Sequence, residues 1–248
     1  VIIDFDKGAG NYGVGRLPPP PTWEYALKLF AEFAADPCGT LAIDTIDGLE
    51  RLAAEHVCRI AKKKSLAEFG YGDGYTALTA EWRIALDALE AVRDAGTTVL
   101  LIGHSQVKRM QNPQIGEYDV FSVTLEKKTW AATHKWCDVI AFANFDAARK
   151  EDERRAFVTD KRYLFTAPGT GYEAGNRFGL PPVMPLEWTA LAAGLNRWRD
   201  VSAQILTLAH GTPFEEKAKF YVANAGEDAG KLDVILESLK AGLKGNGK

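Results

Sequence analysis

The sequence predicts an α/β fold with a mostly parallel central sheet flanked by helices, and three observations predict it. Short runs rich in apolar residues, Val1–Ile3, Leu41–Ile43 and Thr97–Ile102, each stop at polar residues, as strands buried on both faces of a parallel sheet do. Between them lie longer stretches with apolar residues at helical spacing. The alternation of the two patterns gives a complete β-α-β crossover, from Val1 through the helix at Trp23 to the strand at Thr40.

Taken in order, Val1, Ile2 and Ile3 lead into Asp4, Phe5 and Asp6. The Gly-rich segment Gly8–Gly15 reads as a flexible connector, followed by the stiff run Pro18–Pro21. Thr22 is placed to cap a helix whose apolar face is Trp23, Ala26, Leu27, Phe30 and Phe33, and Asp36-Pro37 ends it. The stretch TLAIDTIDGLE, Thr40–Glu50, runs from a strand through Asp44, Thr45 and Asp47 into a second helix carrying Leu49, Leu52, Ala53, Val57 and Ile60. Asp44 there suits a metal or phosphate site at the strand's carboxyl edge and equally the cap of the next helix. The basic run Lys62–Lys64 reads as a solvated helix end.

The loop Gly70–Tyr75 combines three glycines with two tyrosines and reads as ordered and pinned by its own aromatics; stacking on bases or on another subunit is the rival role. A helix over Ala77–Ala95 stops at Gly96. The strand Thr97–Ile102 then delivers Gly103, His104 and Ser105 to the same sheet edge. Val107–Asp119 reads as a polar, basic loop without apolar periodicity, either merely solvated or suited to phosphate-backbone contact. Leu125–Trp136 reads as helix, Val139–Ala143 as a fourth strand, Ala148–Arg155 as a charged turn and Arg162–Thr166 as a half-buried strand. Trp188–Leu208, Pro213–Ala223 and Lys231–Leu243 read as a helical tail, which divides the chain into a core over 1–187 and a tail over 188–248.

A net charge of −3 and a pI near 5.9 exclude a global basic field, so any nucleic-acid contact must come from a local patch. Three dispersed cysteines, Cys38, Cys58 and Cys137, show no metal-ligand spacing and suit a reducing compartment. No apolar run approaches the length of a membrane span, and the expected location is cytoplasmic.

Three strand ends therefore carry polar groups: Asp4/Asp6, Asp44/Thr45/Asp47 and His104/Ser105. Together they suggest one active site suited to nucleoside triphosphate hydrolysis. An Asp at a buried strand end can hold the Mg²⁺ that bridges terminal phosphates, a second carboxylate can orient the attacking water, and a polar group can sense the γ-phosphate.

With VIIDFDKG, the Walker-B-like LAIDTIDGLE, GYGDGY, VLLIGHSQVKRMQNP, WCDVIAFA and EAGNRFGLP in this order, the chain from Val1 to Trp188 resembles RecA-like P-loop ATPases. The resemblance is strongest to phage-encoded ATP-binding proteins of that class, recombinase and single-strand-annealing relatives included. It implies a RecA-like P-loop NTPase core with a C-terminal helical tail, ATP and Mg²⁺ as cofactors, single-stranded DNA as partner, a homo-oligomer and the host cytoplasm as location. Asp44 then corresponds to the Walker B acid, with Thr45 beside it at the nucleotide, and Asp6 to a catalytic Glu one methylene longer. His104 with Ser105 corresponds to the γ-phosphate sensor, and Lys108, Arg109, Gln111 and Asn112 lie in a first DNA-binding loop. Arg177 stands where a cation reaches a neighbouring subunit's nucleotide as an arginine finger; a surface salt bridge is the equal alternative. No GxxxxGK[ST] occurs in the sequence. The resemblance places that loop upstream of Val1, so the expectation is a Mg²⁺-dependent ATPase in full-length form with this chain alone inactive. The alternative is a non-catalytic DNA-binding or assembly module.

Overall fold

A computed structural model describes residues 1–114, 116–148, 157–225 and 229–245. The chain forms two compact units, one of Val1–Gln111 with Phe121–Cys137, the other of Asn112–Val120 with Asp138–Lys248.

The first unit is built on β1 (Ile2–Asp4), β2 (Arg16–Leu17), β3 (Thr40–Asp44) and β4 (Thr98–Ile102), ordered β2-β1-β3-β4 with every pair parallel. Helices α1 (Trp23–Ala35), α2 (Ile46–Ile60) and α3 (Asp73–Asp94) connect them, and α4 (Lys127–Trp136) follows. Because side chains alternate along a strand, the register decides what each face carries. Ile3, Ile43 and Leu101 are lateral neighbours and face the core shared with Trp23, Phe30, Leu49, Leu78, Trp82 and Leu89 of the helices. The opposite face carries the rows Ile2, Ala42, Leu100 and Asp4, Asp44, Ile102.

That second face corrects the expectation that the Thr97–Ile102 strand is buried on both sides. Leu100 and Ile102 are each 39% exposed, so β4 is covered on one face. The run of apolar residues could not show this, because both kinds of strand read alike.

The capped helix appears as expected: the Thr22 side chain accepts from the Tyr25 amide at 3.2 Å, and Asp36 ends α1. The Gly8–Gly15 connector is ordered instead. Asp4, 2% exposed, accepts from the amides of Gly8 and Ala9, both at 3.1 Å, and the segment leads directly into β2. At the GYGDGY loop Tyr71 is fully exposed with φ of 52°, so this tyrosine does not pin the loop. The Val107–Asp119 loop is another correction. Ser105–Asn112 (β5) and Gly116–Val123 (β6) form a two-stranded sheet. β5 is mostly exposed on both faces, so no apolar alternation marks it, while β6 buries one face through Val120 and the polar Ser122.

In the second unit the expected strand Val139–Ala143 is divided between β7 (Val139–Ile140) and β8 (Phe142–Ala148). The half-buried strand expected at Arg162–Thr166 belongs to β9 (Phe157–Phe165), which pairs antiparallel with β8. β7 pairs with β10 (Gly175–Asn176), and β9 also pairs with β11 (Val183–Pro185), again antiparallel. Phe142 stacks on Tyr172 with ring centroids 5.3 Å apart, and Phe165 packs against the same ring, tilted, at 4.7 Å. The charged turn expected at Ala148–Arg155 lies, past Ala148, outside the described residues. Helices α5 (Trp188–Ala209), α6 (Glu215–Ala225) and α7 (Ala229–Gly245) pack around Val201, Ile205, Leu232, Leu236 and Leu239. Among the described residues no helix is long and apolar enough to cross a membrane.

Candidate functional site

The carboxyl ends of β1, β3 and β4 converge. The parallel register aligns Asp4, Asp44 and Ile102, so the residues that follow each strand emerge side by side. Two glycines allow the close approach. A Cβ on Gly48 would lie 2.7 Å from Phe5 Cβ, and one on Gly103 would lie 2.9 Å from the Cγ2 atoms of both Ile46 and Val123. Bare backbone at these points lets the first turn of α2 sit against the end of β1, and lets the chain leaving β4 pass over that turn.

Thr45 settles the ambiguity at Asp44. The N-cap of α2 is Thr45, 2% exposed, whose Oγ1 accepts from the Gly48 amide at 3.3 Å and donates to Asp6 Oδ1 at 3.4 Å. Asp44 is thus released from capping. Among the described residues, none hydrogen-bonds its carboxylate. Burial first, then the charges of Asp6 and Asp4, push its carboxyl above the ordinary 3.8; His104 opposes and Asp47 adds to the rise. The Asp44–Thr45 peptide is cis.

His104 lies between two carboxylates. Its Nδ1 is 3.0 Å from Asp47 Oδ2, its backbone amide donates to Asp47 Oδ1 at 3.3 Å, and its Nε2 is 3.5 Å from Asp6 Oδ2. The hydrogen bond and charge of Asp47 raise the imidazole above 6.5, with smaller help from Asp6 and Asp44 against burial. Burial works against the ionised Asp47, but the side-chain and backbone bonds from His104 lead the effects that outweigh it and hold that carboxyl below 3.8.

The structure thus brings Asp6, Asp44, Thr45, Asp47 and His104 together. Ser105, exposed at the start of β5, lies outside this bonded set. Asp4 serves the Gly8–Ala9 turn and meets Arg16 at 3.4 Å. Lys108, Arg109, Gln111 and Asn112 lie on β5, where alternation sends Lys108 and Asn112 to one face and Arg109 and Gln111 to the other. Lys108 Nζ donates to the Val123 carbonyl at 3.4 Å, and Asn112 Oδ1 accepts from the Gln114 amide at 2.8 Å. Arg109 and Gln111 are exposed. Arg177, in the second unit, pairs with Asp138: Nη1 to Oδ1 at 2.8 Å, and its amide to the Asp138 carbonyl at 3.0 Å. The salt bridge, one of its two readings from sequence, is formed.

Two residues of α2 matter more than their sequence context suggests. Asp47 reads locally as an acid favoured in a helix's first turn. Glu50, one turn on, reads as surface, yet both its oxygens accept from the Glu126 amide at 3.1 Å and it bonds Thr129 Oγ1. Asp47 is signalled by its place after the apolar run of β3, and for Glu50 the only signal is its spacing of three from Asp47 on one helix face.

Among the described residues no group of three or more His, Cys, Asp or Glu could hold a metal ion by itself, so a cation here would need phosphate oxygens beside one or two carboxylates. Asp6 and Asp47 flank one imidazole, and burial first, with the charges of Asp6 and Asp4 after it, raises the nearby Asp44 carboxyl. No curated protein matches the chain. The family described as AAA domain matches residues 1–178. The match covers the parallel sheet, the converging strand ends and the chain onward through β10, and with more than half of its length so matched the chain belongs to the AAA domain family, whose type is the nucleotide-binding ATPase of the P-loop NTPase class.

Proposed function

We propose that this AAA domain is the RecA-like core of a phage ATPase that hydrolyses ATP with Mg²⁺ while acting on single-stranded DNA in recombination or annealing. The observation that carries the reading is the Asp44 carboxylate at the end of the middle strand β3, relieved of capping by Thr45. In this reading Asp44 supports Mg²⁺, which when bound neutralises the charge of the terminal phosphates. Thr45 orients Asp6 through its hydroxyl, and Asp6 receives the proton of the attacking water. His104 in its protonated form, with Nδ1–H held by Asp47, donates Nε2–H to the terminal phosphate, and Arg177 exchanges Asp138 for a neighbouring subunit's nucleotide within a homo-oligomer. Arg109 and Gln111, exposed on one face of β5, are the leading contacts to the DNA backbone, with Lys108 and Asn112 on the other face.

The test is Mg²⁺-dependent ATP turnover by the full-length protein and its Asp44→Ala variant, with filter binding of single-stranded DNA in parallel. The expected result is turnover stimulated by DNA and abolished in the variant. Full activity in the variant removes Asp44 from the mechanism. DNA binding that ignores nucleotide, with no turnover, favours a non-catalytic DNA-binding module instead.

A further inference from the structure

Asp47 satisfies two groups of His104 with one carboxylate. Oδ1 takes the backbone N–H at 3.3 Å and Oδ2 takes ring Nδ1 at 3.0 Å, across 57 residues of sequence. A single bond to the ring would leave the peptide free to rotate; bonds to both peptide and ring hold the residue's main chain and side chain together. An ionised carboxylate is an acceptor only, so Nδ1 must be the donor. The other nitrogen, Nε2, is then the one turned to Asp6, 3.5 Å away. Gly103 permits this closure, since any side chain there would strike Ile46 and Val123.

We propose that Asp47 is the positioning residue of His104: it holds Nδ1–H and the His104 amide, so that Nε2 is the imidazole atom presented to Asp6 and to the ligand of the site. The assignment of that ligand as a nucleotide's terminal phosphate rests on the function proposed above. The tautomer assignment stands on the geometry alone. Asp47 touches no reacting atom; it acts through His104, as carboxylates behind functional imidazoles do.

The tautomer is read directly from imidazole ¹⁵N shifts in the ¹⁵N-histidine-labelled chain at about pH 9, where neutral imidazole can be observed. The chain has four histidines, and His104→Gln assigns the relevant signals. Wild type is expected to show protonated Nδ1 and bare Nε2 at His104. Asp47→Ala is expected to reverse the pattern, because a free imidazole in water prefers the Nε2–H form. Asp47→Asn, which keeps an acceptor oxygen, retains the wild-type pattern. If Asp47→Ala does not fold, Asp47→Ser, too short to reach Nδ1, takes its place.

In the full-length protein Asp47→Ala is expected to lower kcat for ATP by about 10–100-fold, with KM within roughly twofold and Asp47→Asn recovering most of the loss. Unchanged His104 shifts in the folded Asp47→Ala variant overturn the proposal. So does wild-type kcat in that variant. A wild-type protein without turnover, combined with the expected shift reversal, sinks the ATPase reading and leaves Asp47 as the residue that orients His104.

Discussion

Replacing Glu50 separates what its charge does from what its shape does. Glu50 reaches from α2 to the start of α4, where both carboxylate oxygens meet the Glu126 amide at 3.1 Å and one bonds the buried Thr129 hydroxyl. Burial, outweighing these bonds, raises its carboxyl above the ordinary 4.5. A raised carboxyl favours the folded state most below its unfolded pKa, and this contribution is lost as pH rises through the folded value. At neutral pH the ionised form is therefore the less comfortable one. Glu50→Gln keeps an acceptor for the Glu126 amide, and its NH₂ can donate to Thr129 Oγ1, which in turn donates to the Glu126 carbonyl at 2.8 Å. Glu50→Ala orphans the Glu126 amide and leaves Thr129 its carbonyl partner. One buried unsatisfied donor costs about 1–3 kcal/mol, roughly a 5–150-fold rise in local opening.

Amide exchange across Lys127–Trp136, with urea unfolding at neutral pH and again near pH 4.5, reads the difference. The alanine variant should lose protection by that factor at both pH values. The glutamine variant should match or exceed wild type at neutral pH and converge with it at the lower pH. A glutamine variant as weak as alanine at neutral pH would refute the reasoning, since the charge itself would then be the stabilising element.

The Asp47–His104 pair has a two-sided pH window. The lowered Asp47 carboxyl contributes stability above about 3.8, lost as pH falls through its folded value, and the raised imidazole contributes below 6.5, lost as pH rises through its own. His104→Ala should therefore cost more in unfolding experiments near pH 5 than near pH 9, and an equal cost at both would exclude the ion pair. In the core, Trp82 Nε1 donates to Thr133 Oγ1 at 2.8 Å, and each residue is 1% exposed. Thr133→Val should destabilise the first unit by about 1–3 kcal/mol through the orphaned indole N–H, whereas a change within ~0.5 kcal/mol would mean that another acceptor takes its place.

Where burial wrote the pattern, the sequence was readable. Leu41, Ala42 and Ile43 are all buried in β3, and the α1 face of Trp23, Ala26 and Phe30 is buried with Thr22 as cap. β5 escaped notice because exposed strands have no reason to alternate, and β2 because its two residues carry no period. The strand ends announced Asp6, Asp44 and His104 as candidates, since polar groups after apolar runs are visible locally. Nothing local tells that Thr45 rather than Asp44 caps α2, or that Asp47 meets an imidazole 57 residues on. Such contacts depend on how closely two strand ends pass, which Gly48 and Gly103 permit without specifying.

The half-covered sheet has a thermodynamic corollary. Asp44 shares its face with Ala42 and with the laterally paired Leu100 and Ile102, whose side chains still meet water. Any body that covers this face strips water from beside the carboxylate and makes its charge more costly. On the function proposed above, a cation at Asp44 would relieve that cost, so covering the face and binding the ion would favour each other by equal free energies. If the proposed ion binds there, its affinity gauges how completely the sheet is covered, measurable without any turnover.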